Sequence, residues 1–130
     1  MKITIDVPKV EEKKVVLVCD DSKTCLQLVK KGLSKEYHVI TASSGYEAIA
    51  FAALYFPDVV IMDVMMYGMN GFEAIKKIKT NPVTKDIPVI FLSGLTDDKY
   101  VQQGLDLGAK MYIKKPVDVG VLIKSIEDIT

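Results

Sequence analysis

Five short, almost wholly apolar runs, at residues 15–19, 37–41, 58–62, 88–92 and 111–113, are separated by longer stretches with helical spacing. This alternation constrains the fold more than any other feature. A strand with one wet face alternates apolar and polar residues, but Val15-Val16-Leu17-Val18-Cys19 and Val59-Val60-Ile61-Met62 do not. Such strands must be covered on both faces, as parallel strands between helical layers are. The spacing predicts helices over 22–33, 45–55, 71–79, 97–107 and 119–128. Ser44 with Glu47, and Asn70 with Glu73, have the form of capping boxes that start two of them. The expected architecture is α/β, a doubly wound five-stranded parallel sheet flanked by five helices, with right-handed crossovers.

Ahead of the first strand, Pro8 and the run Glu11-Glu12-Lys13-Lys14 mark a boundary. The expected organisation is an N-terminal extension, 1–13, and one folded unit, 14–130. Ile3, Ile5 and Val7 alternate with polar residues, which suits either an extra edge strand or a mobile arm. A chain of 130 residues has room for one core. No apolar run approaches the ~20 residues of a membrane helix, and the first ten residues lack a continuous signal-peptide core. No membrane insertion and a cytoplasmic location are expected. All 17 basic side chains are lysine, and they balance 17 acids to a formal net charge of +0, so bulk charge attracts neither nucleic acid nor an anionic surface. Without arginine there is no bidentate fork, and any anion must meet lysine. Cys19 and Cys25, the two cysteines, are expected as reduced thiols.

In a doubly wound sheet, ligands bind beyond the carboxyl ends of the strands. The residues there are Asp20-Asp21 after the first strand, Asp63 after the third, Ser93 after the fourth and Lys115-Pro116 after the fifth. Each alone reads as a cap or a turn. Together, on one sheet edge, they read as a site. Carboxylates about 4 Å apart repel by several kcal/mol per pair at an effective dielectric of about 20, and so call for a cation or for protons. Mg²⁺, which prefers oxygen ligands and commonly shares a carboxylate with a phosphate, answers that need. Asp63 is the central carboxylate and the candidate nucleophile towards phosphorus, with Lys115 and the Ser93 hydroxyl available to the phosphoryl oxygens.

With these residues in view, the sequence resembles the receiver domain of two-component response regulators, of the CheY-like, flavodoxin-like type. The resemblance runs over about residues 14–129. It is carried by Asp20-Asp21, by Val59-Val60-Ile61-Met62-Asp63-Val64-Met65-Met66 with Asn70-Gly71, by Ile87-Pro88-Val89-Ile90-Phe91-Leu92-Ser93-Gly94, and by Gly108-Ala109 leading to Tyr112 and Lys115-Pro116. It implies a phosphoacceptor switch. A partner histidine kinase or histidine phosphotransfer protein would phosphorylate Asp63. Mg²⁺ would be held by Asp21, Asp63 and the backbone carbonyl of Met65, with Asp20 acting through a water. Lys115 would pair with the phosphate, and Ser93 and Tyr112 would relay the change to a surface formed by the fourth helix, fifth strand and fifth helix. Met65 and Leu95 would flank the path of the hydrolytic water and tune the lifetime of the phosphorylated form. A cis Lys115-Pro116 peptide is also implied. The chain departs from the family where tyrosine stands at 67 in place of the usual proline, and asparagine at 70 in place of a frequent aspartate.

Such a chain would be no enzyme beyond its own phosphorylation and dephosphorylation. Ending shortly after Pro116, it would signal by protein contact, with no direct nucleic-acid binding. Two alternatives stand beside this reading. A receiver-like scaffold that is not phosphorylated normally lacks the Asp or the Lys, and a Mg²⁺-dependent aspartyl-nucleophile phosphatase needs a further region to activate water. Outside the site, His38 reads as an ordinary strand residue, Met62, Met65, Met66 and Met69 as packing around the loop after Asp63, and Lys76, Lys77 and Lys79 as a solvated helix face.

Overall fold

The computed structural model describes residues 13–130; the segment 3–7, read as either an edge strand or a mobile arm, lies outside the described residues. Ten elements alternate strictly. They are β1 (Val15–Cys19), α1 (Lys23–Leu33), β2 (His38–Ala42), α2 (Gly45–Tyr55), β3 (Val59–Met62), α3 (Gly71–Thr80), β4 (Val89–Ser93), α4 (Asp98–Asp106), β5 (Met111–Lys114) and α5 (Val119–Ile129). All strand pairs are parallel, in the order β2-β1-β3-β4-β5. The order reverses between β1 and β3, which places the crevice of the sheet beside the ends of those two strands.

The continuous apolar runs are explained by two separate cores. Val16, Val18, Val59, Ile61, Ile90 and Leu92 face one layer with Leu26, Val29 and Leu33 of α1 and with Leu122 and Ile126 of α5. Their neighbours Leu17, Cys19, Val60, Met62 and Phe91 face the other, with Ala48 and Ala52 of α2 and with Ala74, Ile75 and Ile78 of α3. Successive residues thus feed opposite cores, as a pleat of period two requires.

Some boundaries move for identifiable reasons. The second strand starts at His38, because the Tyr37 N–H donates back to Leu33 O at the end of α1. The fourth starts at Val89 and takes in Ser93; Pro88, with no N–H to donate, contributes only its carbonyl, to Val60 N–H. Asn70 and Glu73 form the full reciprocal capping box. Ser44 caps α2 by accepting from Glu47 N–H, but the Glu47 carboxylate turns to the N–H and hydroxyl of Ser43, so the second box is only half made.

Two packing expectations need correction. Lys79 is not on a solvated face: its stem is half buried, and its ammonium donates to Ile87 O at 2.6 Å and Lys85 O at 3.2 Å, clamping the connection into β4. Burial, followed by the nearby Lys110 charge, lowers its pKa. Met62, Met66 and Met69 are buried, whereas Met65 is 63% exposed at the rim of the loop. His38 is an exposed strand residue, as expected.

Candidate functional site

The backbone ladder continues one residue past each strand and so delivers the site residues in register. Asp20 N–H donates to Ala42 O at 3.1 Å, Asp63 N–H to Cys19 O at 3.0 Å and Lys115 N–H to Ser93 O at 2.9 Å. Asp20, Asp63 and Lys115 are thereby fixed by the sheet itself, and their side chains converge. The Lys115 ammonium donates to Asp20 Oδ2 at 2.7 Å and to Asp63 Oδ2 at 3.1 Å. The Lys115–Pro116 peptide is cis.

The other carboxylate oxygens are held by main-chain donors. Ser22 N–H reaches Asp20 Oδ1 at 2.9 Å, Met65 N–H reaches Asp63 Oδ1 at 3.4 Å, and Tyr67 N–H reaches Asp21 Oδ2 at 3.0 Å. The contact seen for Met65 is thus made by its N–H. Asp20 and Asp63 are buried and Asp21 is exposed, yet one oxygen from each lies within 4.8 Å of the others. Three hard oxygen donors this close could hold a divalent cation, and the set suits Mg²⁺ in donor chemistry and in leaving room for water.

The two buried carboxylates are not equivalent. Burial pushes the Asp63 pKa up; the hydrogen bond and charge of Lys115 oppose this and the charge of Asp20 adds to it, and burial prevails. Burial works the same way on Asp20, but there the hydrogen bonds from Lys115 and Ser22 win and its pKa falls. Lys115, which burial alone would discharge, is instead held protonated by Asp20 and Asp63. Both carboxylates contact Lys115, yet Asp20 is shifted down and Asp63 up, so Asp63 is the more basic of the two. Burial, with Asp20 next in weight, pushes Cys19 up to about 12, and burial with the hydrogen-bonded Asp20 pushes Cys25 up to about 11, while the Cys25 thiol helps to lower Asp20. Neither forms a disulfide.

Ser93 is fully buried at the end of β4, with its Oγ accepting from Leu95 N–H at 3.1 Å. Tyr112 on β5 donates its hydroxyl to Leu95 O at 2.5 Å, and its ring lies 5.9 Å from that of Phe91. Ser93 and Tyr112 therefore grip the same residue, Leu95, from the site side and from the α4–β5 side. Sequence reasoning had no access to two backbone contacts, since backbone donors leave no mark in a sequence: the Tyr67 N–H, and the N–H of Gly71, a residue already noted in the motif, which donates to Val64 O at 2.8 Å and holds α3 against the Asp63 segment.

Known proteins share the sequence pattern and the fold. Response regulator PleD of Caulobacter vibrioides is 38% identical over 116 residues, covering 88% of this chain and 26% of that protein. The probable cyclic di-GMP phosphodiesterase of Vibrio cholerae is 40% identical over 107 residues, 82% of this chain and 24% of its own. The chain thus spans about a quarter of the length of these two relatives. Protein PilH of Pseudomonas aeruginosa is 37% identical over 85% of this chain and 93% of that protein. Chemotaxis protein CheY4 of Vibrio cholerae superposes with a TM-score of 0.86 at 33% identity, covering 92% of this chain and 100% of that one. With the model of the response regulator receiver domain matching residues 16–127, the chain belongs to the response regulator receiver domain family.

Proposed function

We propose that residues 14–130 act as a phosphoacceptor switch in which Asp63 takes a phosphoryl group from a partner histidine kinase or histidine phosphotransfer protein, with Mg²⁺ as cofactor. The observation that carries this reading is the Lys115 ammonium bridging Asp20 and Asp63 while Asp63 stays the more basic carboxylate. A carboxylate oxygen of Asp63 attacks phosphorus. The new P–O bond forms as the P–N bond of the phosphoimidazole breaks, and the electron pair leaves with the ring nitrogen. Asp21, Asp63 and the Met65 carbonyl would hold Mg²⁺, with Asp20 acting through a water, and the ion would supply charge neutralisation for the approaching anion. Lys115 exchanges carboxylate for phosphoryl oxygen. The scaffold alternative is disfavoured by the retention of both Asp63 and Lys115. No activity beyond self-phosphorylation and self-dephosphorylation is assigned. A cytoplasmic location fits, and no helix among the described residues is long and apolar enough to cross a membrane.

Mg²⁺ dependence tests the reading. Titration with Mg²⁺ should shift NMR signals at Asp20, Asp21 and Asp63, with weak binding because the ion keeps much of its water. Asp21→Ala should remove most of the effect, and undiminished binding by that variant would count against the ligand set. Labelling by a small phosphodonor should stop when Mg²⁺ is chelated.

Output is assigned to the surface of α4, β5 and α5. A phosphoryl group on Asp63 would accept a charge-assisted hydrogen bond from the Ser93 hydroxyl, drawing the side chain towards the site and away from the Leu95 N–H from which it now accepts. Leu95 also anchors Tyr112, so the tyrosine is freed to turn inward. Ser93→Ala should still accept phosphoryl but change the α4-β5-α5 signals less than wild type does. A full change in that variant would break the proposed coupling.

Lifetime is assigned to Met65 and Leu95. Neither side chain can orient an attacking water, so self-dephosphorylation should be slow. Met65→Asn should decay faster, roughly tenfold for each 1.4 kcal/mol of water positioning gained. Equal decay of the two proteins in Mg²⁺ would show that position 65 does not set the lifetime.

A further inference from the structure

We propose that the backbone N–H of Tyr67 is a positioning group for the cation site, holding the exposed Asp21 carboxylate where one of its oxygens lies within 4.8 Å of oxygens of Asp20 and Asp63. The proposal rests on the metal-binding reading above and deepens it. Asp20 and Asp63 are buried, and each is held at both oxygens by the contacts already given. Asp21 is different. It is exposed, and among the described residues its one hydrogen bond is the 3.0 Å contact from Tyr67 N–H, 46 residues along the chain. That contact is to Oδ2, and the carboxylate keeps lone pairs for a cation. An exposed aspartate without it would rotate among its rotamers and would have to be ordered each time an ion bound. With it, the ordering is in place before the ion arrives. Hydrogen bonds to metal-ligating carboxylates act in this way, and their loss commonly lowers metal affinity.

The position contributes its backbone rather than its side chain. Tyr67 is 94% exposed, so its ring has almost nothing to pack against. Gly68, with φ of +77°, follows at once and turns the chain. The loop conformation thus delivers the amide to Asp21 and leaves the ring in solvent. A proline at this position, as is usual in receivers, has no N–H and could not make the bond. The device therefore depends on a residue with a backbone N–H at position 67. By linkage, if the bond favours cation binding by some factor, cation binding favours the bond by the same factor.

The test separates amide from ring. Mg²⁺ affinity is measured by calorimetry or NMR titration on the full chain as wild type, Tyr67→Ala, Tyr67→Pro, Asp21→Ala and the double variant Tyr67→Pro with Asp21→Ala. Tyr67→Ala keeps the N–H and should bind within about twofold of wild type, whereas Tyr67→Pro should bind about tenfold more weakly, the lower end of the effect of losing such a hydrogen bond. In the Asp21→Ala background the proline should have no further effect. Equal weakening by alanine and proline, no weakening by proline, or an undiminished proline effect without Asp21 would each overturn the proposal. Should Tyr67→Pro not fold, hydrogen exchange at the Tyr67 amide of wild type decides: saturation with Mg²⁺ should slow it, and unchanged exchange overturns the proposal. Wild type that binds Mg²⁺ through Asp21 but is insensitive to Tyr67→Pro would remove this inference alone. Wild type that binds no Mg²⁺ would remove the metal-binding reading, and this inference with it.

Discussion

Asp63→Asn should abolish labelling by a small phosphodonor and binding of beryllofluoride, with a loss in rate of at least about 10³-fold, because it removes the proposed nucleophile rather than a neighbour of it. Asparagine has the same shape but an amide in place of the carboxylate oxygen that attacks phosphorus. The fold should survive. Lys115 keeps its shorter contact, 2.7 Å to Asp20, and the like-charge repulsion between Asp20 and Asp63 disappears. The variant should therefore unfold no earlier than wild type, so that a loss of labelling cannot be blamed on misfolding. Mass spectrometry of the intact protein after treatment with phosphodonor and Mg²⁺ measures the first expectation, and a thermal melt the second. Labelling of the asparagine protein at the wild-type rate would move the phosphoryl acceptor elsewhere.

The sheet was legible because its strands are apolar on both faces. Val16 and Val18 feed one core and Leu17 and Cys19 the other, and only a two-sided parallel sheet uses such a run. Once the strands are placed, the strand-end rule brings Asp20, Asp21, Asp63, Ser93 and Lys115 to one edge. Side-chain identity is written in the sequence, and the sheet supplies the convergence.

What could not be read depends on paths of the main chain between elements. Lys79 has the pattern of a solvated lysine, three residues from Lys76, and only the course of the connection before β4 turns two carbonyls towards its ammonium. Glu47 has the spacing of a reciprocal cap, but Ser43 offers both an N–H and a hydroxyl, and the carboxylate takes those. The Tyr67 amide is invisible for the same reason: its chemistry is common to every residue but proline, and only the loop gives it a target.

Gly71 shows how tightly that loop is tied to the site, and Gly71→Ala is expected to damage both stability and phosphoryl acceptance. A Cβ at this position would fall 2.2 Å from the Asp63 carbonyl oxygen, 3.0 Å from Val64 Cα and 3.1 Å from Asp63 C. These are backbone atoms and cannot swing aside as a side-chain tip would. Either α3 must back away, breaking the 2.8 Å bond from Gly71 N–H to Val64 O, or the Asp63–Val64 peptide must shift and carry the carboxylate with it. Alanine gains at most about 1 kcal/mol over glycine from helix propensity. Overpacking against rigid atoms costs about 3 kcal/mol, so the clash wins. The net loss of about 2 kcal/mol should lower Tm by roughly 8 °C for a domain of this size. Gly94 is the internal control, since it stands next to Ser93 at the same edge but a Cβ there meets nothing within 4 Å. Gly94→Ala should change stability by no more than about 0.5–1 kcal/mol, and in the stabilising direction. Thermal melts of the two variants, followed by phosphodonor labelling at a temperature where both are folded, separate the effects. Gly71→Ala should label several-fold more slowly, because its Asp63 is displaced from Lys115, while Gly94→Ala should keep its fold. If Gly71→Ala melts with wild type and labels as fast, the packing of α3 against the Asp63 carbonyl does not hold the site in place.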